Sequence, residues 1–286
     1  GGQAFNDEYL AMIYIKRGSG QAWGQKPRFI EIFNLKVTGA HPSHSFTDAQ
    51  GNLQSYVNGS AGIRANLAED LTVKATEISG NGNGFFVLSK DSEEEVSRNI
   101  LFERNYVHSN GIVGDYLEHN IYTQADGITF QYNVIGNPTP GMEGSSLKDR
   151  SVGTVIRYNW IQSGARLLDL VDPEDSFAVI GRESDTYVYG NILINDFDQT
   201  PHSTNMIHFG GDTGATEMYR QNLHFYHNTL VTINGMRDRG WRTSYFDLPT
   251  GEQTVYLTNN IFDRHGDAFL YLMRSGGGHA VLNGVN

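Results

Sequence analysis

One short pattern returns along most of this chain: alternating apolar residues, then an asparagine, then two or three further apolar residues. It reads IFNLKV around Asn34, FERNYV around Asn105, FQYNVI around Asn133 and IRYNWI around Asn159, and continues as VYGNIL around Asn191, FYHNTL around Asn228 and LTNNIF around Asn260. LTVKATEI supplies a further copy with Thr76 in the asparagine position, and from there the steps are 29, 28, 26, 32, 37 and 32 residues. Each repeat also carries a second apolar run of period two: FFVLS, NIYTQ, SLKDR, LLDLV, MIHFG, YFDLP and FLYLM. Alternation of this kind is the signature of strands, and helical spacing is scarce. Gly and Asn cluster between the runs, as in SGNGNG and HSNG, where turns need positive φ.

A unit this short cannot bury its apolar strand faces alone, so neighbouring copies must stack to make a core. The expected fold is all-β: a single right-handed parallel β-helix of about eight coils over residues 1–286, whether whole or a fragment of a longer chain. The recurrent Asn then stands at one corner of every coil and hydrogen-bonds its neighbour, forming a ladder. Uneven steps are tolerated, because insertions such as NPTPGMEG at 137–144 and NGMRDRGWRTS at 234–244 loop out of a solenoid without disturbing it. Over essentially its whole length the chain resembles the pectate-lyase-like superfamily of parallel β-helices.

Composition narrows the partners. The formal charge of -11 argues against general nucleic-acid binding, which wants a basic face. A polyanionic ligand would therefore need a local basic patch. With mean hydropathy at -0.42, no window is long and apolar enough to span a bilayer. The absence of Cys removes disulfides and thiolate metal sites. A monomeric protein, secreted or periplasmic, is expected.

Aligning the second runs by their apolar residues places Phe86, Ile121, Leu147, Leu168, Ile207, Phe246 and Leu270 in an inward stack. The following residues then form an outward column: Val87, Tyr122, Lys148, Asp169, His208, Asp247 and Tyr271. Coils lie about 4.8 Å apart, so neighbours in such a column can act together. Five consecutive positions carry Tyr, Lys, Asp, His and Asp, where a plain sheet face would more often carry Thr, Val, Ser or Lys. His119, Asn120, Gln124, Arg150 and Arg166 flank them. Together they predict a polar groove along one face, suited to a long acidic glycan.

Eliminative cleavage of a uronic-acid polymer needs a neutralised carboxylate, a base for the C5 proton and an acid for the leaving oxygen. Lys148 is the leading base, since a Lys near cations in a low-dielectric groove titrates below its free value of ~10.4. Tyr122 and His208 are its acid/base partners, Asp169 orients Lys148, and Arg150 or Arg166 binds the carboxylate bidentately. His119, Asn120, Gln124 and Asp247 complete the substrate contacts.

The stretch EGSSLKDRSVGTVIRYN at 143–159 resembles the alginate lyase and chondroitinase B type of β-helix lyase, in which a Glu and a Ser precede the catalytic Lys and an Asn corner follows. The resemblance implies Glu143, Ser146 and Lys148 in those positions and a Ca²⁺ ion held by Glu143 with Glu118. The chain departs from that pattern on the next coil, where Asp169 stands in the column instead of an Arg and Arg166 lies three residues earlier.

Three other functions use the same face. An inverting glycoside hydrolase would pair Asp169 with Asp247, two coils or about 9.6 Å apart. A C5 epimerase would share the proton abstraction, and VDPED at 171–175 resembles an acidic-Pro motif of that class. A non-catalytic carbohydrate-binding or adhesin β-helix would favour aromatic residues over titratable ones.

Overall fold

Three parallel sheets run through the chain, and successive coils contribute one strand to each. The computed structural model describes residues 7–22, 24–90, 92–173, 185–199, 205–211, 220–233, 243–251, 253–266 and 270–283. The insertion at 234–242 and residues 174–175 of VDPED lie outside these. Among the described residues the first and second sheets have nine strands and the third has eight, so the solenoid runs slightly beyond the expected eight coils. A small antiparallel hairpin, Ser45–Thr47 with Leu53–Ser55, is looped out of the first coil. No helix among the described residues is long and apolar enough to cross a membrane.

The ladder forms between the second and third sheets. Asn105, Asn133, Asn159, Asn191 and Asn228 each take the backbone N–H of the preceding coil on Oδ1 and pass their own N–H to the next, with Asn260 as the last acceptor. Their Nδ2 groups also donate along the stack, at 2.9–3.3 Å. Thr76 occupies the slot as expected, but Asn34 does not. Leu35 donates its N–H to the Thr76 hydroxyl, and Asn34 sits one residue earlier at φ 56. That earlier position is left-handed in coil after coil: Ala75, Arg104, Tyr132, Tyr158, Gly190, His227 and Asn259 all have positive φ. The corner must turn sharply there. Asn is one of the few side chains that accept the conformation at low cost, which explains how the pattern mistook Asn34 for a rung.

The first sheet shows why register matters. Ile63, Phe85, Ile121, Leu147, Leu168, Ile207 and Phe246 stand in register and are buried to 1% exposure or less. Phe85, not Phe86, fills the inward place, and Val87 also points in. Two adjacent Phe residues carry no alternation, so the side facing the core is set by the pairing of Phe85 with Ile121 and Ile63. At the other end Met273 pairs with Phe246 and Arg274 with Asp247, while Leu270 and Tyr271 fall opposite Thr243 and Ser244. The observed outward column is therefore Arg64, Phe86, Tyr122, Lys148, Asp169, His208, Asp247 and Arg274, with Tyr14 before it.

Candidate active site

A groove of about 830 Å³ lies over the outward column from Arg64 to Asp169. Its floor is the first sheet, and its side wall is made by the segments that lead into the strands, at 58–59, 116–119, 143–145 and 165–166. The wall segments pack closely. A Cβ on Gly144 would stand 1.8 Å from the Glu118 carbonyl oxygen, so only Gly fits there. On a chain of charge -11 the groove gathers four cations, Arg64, Lys148, Arg150 and Arg166, against Glu118, Glu143 and Asp169.

Asp169 is the hub. Arg166 Nη1 donates to its Oδ1 at 2.5 Å, His208 Nδ1 lies 2.9 Å from the same oxygen, and Lys148 Nζ stands 3.5 Å from Oδ2. The Ser145 hydroxyl donates to Oδ2 at 3.4 Å. Burial opposes the Asp169 charge, but the hydrogen bond from His208 and the charges of Arg166 and Lys148 outweigh it and hold the carboxyl well below the usual range. A carboxylate this firmly ionised cannot deliver a proton. It pairs with Arg166 and faces Lys148, the residue it is expected to orient.

Tyr122 sits one rung before Lys148, and Arg150 Nε donates to its phenol oxygen at 3.2 Å. A guanidinium there stabilises charge that develops on the oxygen as its proton leaves. Arg150 is itself 3% exposed and anchored by donation from Nη1 to the Asp172 carbonyl at 2.7 Å. His119 lies across from Lys148 on the wall. Its Nδ1 accepts the Ser145 N–H at 2.8 Å, which leaves the ring proton on Nε2. Burial, then the Lys148 charge, push the imidazole down to about 3. His119 is thus a neutral hydrogen-bond donor, fit to orient a substrate oxygen.

Beneath Lys148 the strand is pinned from inside. Asp149 points inward and is bound by Arg220 Nη2 at 2.5 Å and by the hydroxyls of Thr123 and Thr154, each at 2.7 Å. Both members of the pair are essentially fully buried. Breaking one side of such a pair costs about 3–5 kcal/mol, so the backbone carrying Lys148 is held firmly.

Other expected site residues are placed differently. Asn120 is fully buried in a second ladder, where Asn81 donates to Asn110 and Asn110 to Asn120. Asn120 in turn donates to the Gly136 carbonyl, so it serves the fold and does not line the groove. Gln124 is buried at the far end of its strand, its backbone tied to Val87 and Ser89, and is also absent from the lining. His208 is 3% exposed and contacts Asp169 and Arg166 from the next rung, beyond the groove lining. Asp247 accepts from Asn205 Nδ2 at 2.8 Å, and its rung lies beyond the groove.

Glu118 and Glu143 both line the wall. Calcium takes six to eight oxygen ligands, and among the described residues no three His, Asp or Glu side chains converge as a metal site. Burial, and then Asp115 beside it, push the Glu118 carboxyl up to about 7. As placed, the pair does not fit a calcium ion.

Arg64, Phe86, Ser145 and Tyr116 line the groove and were missed in the sequence. Phe86 was hidden by the one-residue register error, and Arg64 lies on Ala61–Asn66, a strand outside the aligned runs. Tyr116 lies in a loop that no periodicity marks.

No protein-family model matches the sequence, and no curated protein matches it. Among solved structures, an alginate lyase from Paenibacillus sp. str. FPU-7 matches with a TM-score of 0.51 at 13% identity, over 92% of this chain and 87% of that one. This chain is a right-handed parallel β-helix. At that identity the likeness is one of fold.

Proposed function

We propose that the protein is a polysaccharide lyase acting by β-elimination on a glycan that contains uronic acid. The observation that carries this reading is the cationic groove in an acidic chain, with Tyr122 and Lys148 on consecutive rungs between Arg150 and Arg166. The fold shared with an alginate lyase supports the class of reaction and makes alginate a first substrate to test.

The substrate carboxylate would lie against Arg166 and the His119 Nε2–H, whose donors offset the charge that builds when C5 loses its proton. Lys148 Nζ faces the Asp169 carboxylate at 3.5 Å, the place of a hydrogen-bond donor. Tyr122, with Arg150 donating into its oxygen, is the better base as tyrosinate. Lys148 then protonates O4 as the C4–O4 bond breaks and the C4–C5 double bond forms. This reverses the assignment expected from the sequence, and the reason is the Lys148–Asp169 contact at 3.5 Å. An extended acidic glycan also fits a secreted or periplasmic monomer.

One observation favours a second reading. A buried Glu118 whose carboxyl is raised to about 7, on the groove wall that also carries Glu143, is the kind of raised acid a glycoside hydrolase uses. The deciding experiment is ultraviolet detection of unsaturated uronate with alginate, polygalacturonate and glucuronate-containing glycans. A rise in absorbance together with new reducing ends is expected. New reducing ends without the absorbance would replace elimination by hydrolysis, and neither signal would leave a binding protein.

A further inference from the structure

The groove continues well past the reacting pair in one direction. Among the described residues it reaches three rungs N-terminal of Lys148, to Arg64, but only one rung C-terminal, to Asp169. Arg64 stands two rungs from Tyr122, about 9.6 Å at the spacing of paired strands, too far to serve the same sugar ring.

The Arg64 side chain is held in a defined pose. Its guanidinium carbon lies 4.1 Å from the centroid of the Phe86 ring, and Nη1 donates to the Gly59 carbonyl at 3.2 Å. The Phe86 ring meets Tyr122 edge-on at 5.1 Å, so a continuous floor joins Arg64 to the reacting pair. Gly59 ties this floor to the wall, since it also hydrogen-bonds the Glu118 carboxyl. At the rim Tyr116 is 67% exposed, an aromatic face beside a charged floor. A guanidinium held over an aromatic ring is a preorganised binder of carboxylates, and an exposed Tyr is suited to stack on a sugar ring.

The geometry points to a second anionic-sugar subsite at the N-terminal end of the groove, in which Arg64 on its Phe86 shelf binds the carboxylate of a uronate unit beyond the one being cleaved and Tyr116 covers that ring. The subsite rests on the lyase reading and deepens it. It makes the enzyme a reader of extended acidic chains, and it places the longer bound part of the substrate on the N-terminal coils.

The test is calorimetric titration of the slow Lys148→Ala protein with saturated hexasaccharides from alginate and from polygalacturonate, and with the same hexasaccharides after reduction of their carboxyls to alcohols. Arg64→Ala in that background should weaken binding of the acidic hexasaccharide by roughly 10- to 100-fold, the range of a lost charge-assisted contact. It should leave the weak binding of the reduced chain unchanged. Arg64→Lys should recover part of the loss and guards against a folding defect in the Ala variant. Acidic hexasaccharide bound equally well with and without Arg64 would overturn the subsite while leaving the lyase reading intact. Wild-type protein that neither binds nor cleaves any acidic hexasaccharide would overturn both.

Discussion

The asparagine corner and the groove floor are both columns of polar side chains, one per coil, in the same solenoid. At the corner, residue type hardly changes from Asn105 to Asn260, and each side chain commits its donors and acceptor to the next rung and the neighbouring backbone. On the floor the type changes at every rung, from Arg64 through Phe86, Tyr122 and Lys148 to Asp169, and opposite charges meet around a single carboxylate. A uniform neutral ladder is satisfied internally and offers nothing to a ligand. A varied charged column is braced by Arg220 from within and by His208 on its own next rung, and turns its remaining chemistry to the groove.

The comparison breaks most visibly at Lys148. Lys148→Ala should lower turnover by about 10²–10⁴-fold, the usual worth of a positioned proton-transfer group, while urea unfolding changes little. A variant with near-normal turnover would move the chemistry off this column. The matching change at the corner is Asn159→Ala. It leaves the Asn133 N–H without its acceptor and the Phe130 carbonyl without its donor, at a cost of about 2–4 kcal/mol of unfolding free energy. Turnover measured well below the unfolding transition should stay at the wild-type level. Equal damage to stability and turnover would show that the two columns are not separable.

The smallest effect sharpens the comparison through pH. The Glu118 carboxyl is raised from 4.5 to about 7 in the folded protein, so the folded state holds its proton more tightly than the unfolded chain. The resulting stability is present below pH 4.5 and is lost as pH rises through 7. Glu118→Gln should therefore match the wild type near pH 4.5 and exceed it by about 1–3 kcal/mol at pH 8 in denaturant titrations. Parallel curves for the two proteins across that range would show that the wall leaves Glu118 solvated and acidic.

Much of this arrangement is legible without coordinates. A corner Asn or Thr every 26–37 residues and runs of period two leave few alternatives to a stacked solenoid, and the run from Tyr122 to Asp247 aligns by its apolar neighbours because Ile121, Leu147, Leu168, Ile207 and Phe246 are unambiguous. The failures share a cause. Asn34 and Phe86 each stand one residue from the true position and Tyr271 three residues from it, and an odd slip along a strand turns a side chain from core to solvent. Asn120 looks polar and strand-borne, yet the loop before it bends inward to complete the second ladder.

What the sequence determined by itself is the repeat, and with it the fold and the face of the solenoid where unlike charges gather, because hydrophobic periodicity and a stacked amide act between neighbours along the chain. The tertiary structure alone decided how deep each group lies: that His208 is buried next to Asp169, that Arg220 reaches Asp149 across 71 residues, and that Arg64 joins the groove. Burial and long-range charge set what an ionisable side chain can do, and neither is a property of its position in the sequence.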